Sequence, residues 1–84
     1  MRDWTITWDE HEWTPADLTV AHLALIVEGR LVDDWAFDPT AGPMRLIYVL
    51  AAFIAVDTGQ PLRLVLEGLY GLPASTLVEA LDVS

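Results

Sequence analysis

The sequence contains no cysteine and no lysine. Without cysteine there are no disulfides and no thiolate zinc sites, and the redox compartment leaves no mark. Without lysine, the positive charge rests on four arginines against thirteen acids, for a net charge of −9. Binding a phosphate backbone needs cations that displace counterions, so direct nucleic-acid binding is disfavoured. Anionic membrane surfaces are disfavoured for the same reason. Serine is scarce too: Ser75 and Ser84 are the only ones, and neither sits in a Gly-x-Ser-x-Gly elbow. The longest apolar run, Leu46 to Val56, is eleven residues. Spanning hydrocarbon takes about 20, so no membrane segment is expected. The N-terminal stretch lacks a signal-type apolar run, and the expected location is cytoplasmic.

What the chain has in excess is apolar matter. Ala, Val, Ile, Leu, Met, Phe, Trp and Gly make up 48 of 84 residues, or roughly 57% against about 45–50% in typical soluble domains. Such a length supports one domain, residues 1–84, with a hairpin over 1–13 and a helical part over 14–84. A chain this small buries only roughly 60–65% of its unfolded surface. The surplus therefore suggests an apolar surface offered to a partner or to a second copy.

"WTITW" at residues 4–8 alternates large apolar residues with threonine, the period of a half-buried strand with Trp4, Ile6 and Trp8 on one face. "DEH" at 9–11 reads as a tight polar turn and Glu12–Trp13 as a short return strand. In "TPADLT", Thr14 is placed as N-cap, Pro15 as first helical residue and Asp17 in the first turn. The helix continues through "ADLTVAHLALIVE", with Leu18, Ala21, His22, Leu25 and Ile26 on one face and Gly29 as its C-terminal cap. Residues 31–42 form a loop or irregular turn. A long helix then runs from about Pro43 to Thr58 and stops at Gly59, hydrophobic on all sides. Pro61 opens a third helix and Pro73 a fourth, "PASTLVEAL", with Leu77 and Leu81 one turn apart. The expected fold is mainly α: a short N-terminal β-hairpin followed by about four helices in a small orthogonal bundle.

No constellation points to catalysis, a cofactor or a metal. Asp9, Glu10, His11 and Glu12 lack the spacing of a calcium loop or a His-Glu-x-x-His helix and read as turn residues. His22 has no second ligand at metal spacing. Asp33 and Asp34 are a loop pair without an expected pocket. Gly68-Leu-Tyr-Gly71 is better explained by helix termination than by nucleotide clamping. The four tryptophans, Trp4, Trp8, Trp13 and Trp35, form either a small aromatic core or, for Trp13 and Trp35 beside their acids, part of an interface.

Four stretches taken together cover most of the chain: "TWDEHEWTPADLT", a first helix ending at Gly29, "DPTAGPMRLI" leading into the long apolar helix, and the closing "LPASTLVEALDV". In order and pattern they resemble the small tail assembly chaperones of long-tailed bacteriophages. The resemblance implies a non-enzymatic role, keeping the tape-measure protein, a long aggregation-prone helical rod, soluble until the tail tube grows around it. The groove for such a client would be lined by Leu46, Ile47, Leu50, Phe53 and Ile54 of the long helix and Leu62, Leu66 and Leu69 of the third, in the helix-in-groove mode. Two other classes stay open. One is an acidic inhibitory module of DNA-mimic type, although nine of the thirteen acids fall within the first 38 residues, among tryptophans. The other is a structural helical subunit that assembles into a homo-oligomer.

Overall fold

The structure is a computed structural model that describes residues 3–28 and 39–83. The cap expected at Gly29, the Asp33–Asp34 pair and Trp35 lie outside the described residues. Strand β1, Trp4–Trp8, pairs antiparallel with β2, His11–Trp13, in the register Ile6↔Trp13 and Trp8↔His11. The polar turn is two residues rather than three. Asp9 and Glu10 carry φ values of 47° and 70°, so both central positions are left-handed, the type I′ turn whose twist matches paired strands. His11 is already in the ladder. Glutamate is a poor residue for that conformation, and glycine holds it without the Cβ clash of about 1–2 kcal/mol. Glu10→Gly is expected to stabilise the fold by roughly 0.5–1 kcal/mol, after the greater freedom of glycine in the unfolded chain is subtracted. A rise in the urea midpoint at unchanged slope measures it.

The hairpin does not stand as two strands. Leu81–Val83 forms a third strand, β3, antiparallel to β1 in the register Trp4↔Val83 and Ile6↔Leu81, and the sheet order is β2-β1-β3. The fourth helix, α4, accordingly spans Ala74–Glu79 and stops short of Leu81. Leu77 is buried in the helix, while Leu81 has passed to the sheet. The shared spacing of these two leucines suits a helix, but the unpaired edge of β1 competes for the last residues. Pairing with β1 satisfies the backbone groups of Leu81–Val83 in a ladder in place of one more helical turn.

The first helix also departs from the expected single start. Thr14 is the cap, as expected, and Asp17 closes it, its carboxylate accepting from the Thr14 N–H at 2.7 Å and from the Thr14 hydroxyl at 3.2 Å. This cap serves only a 3-10 turn, Pro15–Asp17. The chain then breaks at Leu18, which has extended backbone, and helix α1 spans Val20–Glu28. Its own cap is supplied by a histidine. His22 Nδ1 accepts from the Thr19 N–H at 2.9 Å and lies 2.9 Å from the Thr19 hydroxyl, in the position of the third-residue side chain of a capping box. His22 and Ile26 are buried, Leu18 and Leu25 half-buried, and Ala21 faces outward.

Helix α2, Pro43–Thr58, is the axis of the molecule and matches the expected span. Gly59, at φ 72°, ends it in the left-handed conformation that a Cβ would strain. Leu46, Ile47, Val49, Leu50, Ala51, Ala52, Phe53 and Ala55 are all buried, because α1, α3 (Leu62–Tyr70), α4 and a 3-10 turn at Pro39–Ala41 pack around it. The alanines let neighbouring helices come close. Phe53, fully buried, is the aromatic centre. Trp13 stacks on it at 5.0 Å, and Trp4 meets it edge-on at 6.2 Å. His22 lies 4.8 Å from it at a tilt, and His11 in turn stacks on Trp13 at 5.4 Å. The Trp13 indole N–H donates to the Asp57 carboxylate at 2.7 Å, tying β2 to the last turn of α2. A carboxylate at a helix C-terminus opposes the helix dipole, and this hydrogen bond offsets that penalty.

Candidate partner-binding surface

Among the described residues no three His, Cys, Asp or Glu side chains converge as a cation site. His22 Nδ1 is used by the cap, and the His11 ring lies on Trp13.

The residues expected to line a groove are brought together, and most of them form the interior. Trp13, Leu46, Ile47, Leu50, Phe53 and Leu69 are buried, while Ile54, Leu62 and Leu66 are half-buried against the same core. Trp13 therefore belongs to the aromatic centre of the fold, and Trp35 lies outside the described residues. Only Ile54, Leu62 and Leu66 retain surface in this packing.

The exposed apolar side chains lie elsewhere. On α3 the periodicity turns Leu62, Val65, Leu66 and Leu69 inward, which leaves Leu64 on the opposite side with 53% of its surface exposed. Gly68 follows one turn later and is also exposed; Leu72, just past the helix end, is 38% exposed. A Cβ added at Gly68 would meet nothing within 4 Å, and its backbone is ordinary right-handed helix. Nothing among the described residues therefore calls for glycine there. A glycine in a helix interior costs about 0.5–1 kcal/mol relative to alanine. Gly68→Ala is expected to raise stability by that amount, read as a higher melting temperature. Leu64 and Gly68 thus lie one turn apart on the exposed side of α3.

A second apolar strip lies on another side of the same helix pair. Met44 and Tyr48 are one turn apart on α2, and the Tyr70 hydroxyl at the end of α3 donates to the Tyr48 hydroxyl at 3.2 Å. The contact clasps the open end of an α2–α3 hairpin. Donation to Tyr48, assisted by partial burial, holds the Tyr70 phenol above its usual pKa.

Sequence reasoning passed over Leu64, Leu72 and Met44, although the phase of α3 was sufficient to find the first of them. With Leu62, Val65, Leu66 and Leu69 assigned to one face, Leu64 must lie on the other.

Compared with known proteins, the chain matches no family model, no curated protein and no solved structure. No helix among the described residues is long and apolar enough to cross a membrane.

Proposed function

We propose that this protein is a non-enzymatic chaperone of phage tail assembly, which binds helical segments of a tape-measure protein through the outer face of α3. The observation that carries the reading is Leu64, half exposed on a helix whose inward face is already packed, one turn from a glycine that no described residue requires. An amphipathic client helix would lay its apolar stripe along Leu64, Gly68 and Leu72, with Gly68 admitting the client backbone. The chain's net charge of −9 keeps a sticky complex dispersed and disfavours pairing with a second copy. Resemblance in element order to the tail assembly chaperones supplies the client class.

The test is co-expression with the tape-measure protein of a long-tailed phage, comparing that protein's soluble fraction with and without this chain. A marked rise with co-purification of the two supports the reading. An unchanged soluble fraction and no co-purification would overturn it, and light-scattering mass would then separate a self-assembling subunit from a monomeric inhibitor.

A further inference from the structure

His22 combines three features that do not ordinarily coincide. It is 96% buried, since only 4% of its surface is exposed. Its Nδ1 must be unprotonated, because a backbone N–H, that of Thr19, can only donate to it. The neutral ring therefore carries its proton on Nε2, and that atom is buried with no hydrogen-bond partner among the described residues. A neutral imidazole is tolerable there, with Phe53 at 4.8 Å against the ring. A charged one costs more there, because burial strips its hydration and no described acceptor meets Nε2.

We propose that His22 is an acid-sensitive latch, whose protonation uncaps α1 and withdraws it from the aromatic centre around Phe53. The proton that enters must bind Nδ1, where it faces the N–H and hydroxyl of Thr19. The capping acceptor becomes a donor and the Thr19 N–H loses its partner. The cationic ring gains no acceptor at Nε2 in exchange. The groups acting on the ring from the packed elements are Asp57 on α2 and Asp17 in the 3-10 turn; both favour the cation, but burial outweighs them and the pKa lies below 6.5. From β2 the nearest titratable ring in the stack is His11, which is separated from Phe53 by Trp13. Because Trp13 and His22 share Phe53 as a neighbour, release of His22 also loosens the seat of the hairpin. The inference does not depend on the chaperone reading.

The direction with pH follows from burial of the neutral form. Above pH 6.5 both states hold a neutral His22 and its contribution to stability is complete. Below 6.5 the unfolded chain takes the proton first, and stability falls until the folded-state ring titrates as well.

The test compares urea unfolding at pH 7.5 and 5.5 for the unaltered chain, His22→Gln and His11→Gln. Glutamine keeps an oxygen acceptor for the Thr19 N–H and removes the titration. Carboxylates that do not act on His22 contribute equally to all three and cancel in the ratio; Asp57 and Asp17 act through the His22 charge and are part of the effect measured. For the unaltered chain and His11→Gln, the unfolding constant relative to His22→Gln is expected to rise by up to about tenfold per pH unit below 6.5. In parallel, the ring nitrogen shifts by NMR should show the Nε2–H tautomer for His22 at pH 7.5. Its titration should fall below 6.5 and coincide with loss of the Thr19 amide shift. An equal acid loss in His22→Gln overturns the latch, as does a His22 ring that titrates near 6.5 with the Thr19 amide unmoved. If His22→Gln does not fold, the NMR titration of the unaltered chain decides alone.

Discussion

Phe53→Ala is expected to remove about 3–5 kcal/mol of stability, the range for truncating a buried aromatic ring and leaving a cavity. The loss falls on the point where Trp4, Trp13 and His22 meet, so three elements lose a neighbour at once. A domain of this size has a margin of the same order. The variant should therefore be largely unfolded at room temperature, seen as lost near-ultraviolet circular dichroism from the tryptophans. Phe53→Leu keeps most of the volume and should cost about 1–1.5 kcal/mol, with the fold retained. If instead Phe53→Ala kept a full urea transition and lost only client binding, Phe53 would be a groove residue and the packing described above would not hold in solution.

Leu64→Glu is expected to do the reverse. The side chain is half exposed and lies opposite the inward face of α3. Such surface substitutions usually change stability by no more than about 0.5 kcal/mol. A carboxylate in the middle of an apolar contact must be desolvated, and client affinity should drop at least tenfold, which corresponds to about 1.4 kcal/mol. Unchanged melting with loss of the solubilising effect on the tape-measure protein would place the contact on this face. Unchanged melting with full solubilisation would exclude this face and direct attention to Met44, Tyr48 and Tyr70. The two substitutions form a pair: one breaks the fold that presents the surface, the other breaks the surface on an intact fold.

Periodicity and breakers were enough for α2 and α3. Pro43 and Gly59 bracket α2 because one lacks an N–H that a first turn does not need and the other accepts a left-handed backbone. An apolar helix in an 84-residue chain has few places to go but the centre, and α2 is there. The aromatic reading of Trp4 and Trp13 follows from the same arithmetic. Two features escaped because they depend on partners distant in sequence. Leu81–Val83 becomes a strand only because β1 is already folded with a free edge, 75 residues away at the pair Ile6↔Leu81. The second start of α1 escaped because the capping acceptor at His22 is an imidazole, which sequence rules for caps do not include.

The candidate surface divides along the same line. That α3 has two faces is written in its spacing. Which groove residues remain accessible is not, since burial depends on what packs across from them: Leu46, Ile47 and Leu50 are as apolar as Leu64, and only their neighbours separate core from surface. The sequence by itself determined the helical class, the central helix, the hairpin and the absence of charge suited to nucleic acid, because local propensity, periodicity and charge are properties of consecutive residues. The third strand, the Trp13–Asp57 tie, the neutral buried His22 and the exposed Leu64 stripe were decided by tertiary structure, because each depends on what a distant segment places, or leaves absent, within a few ångströms.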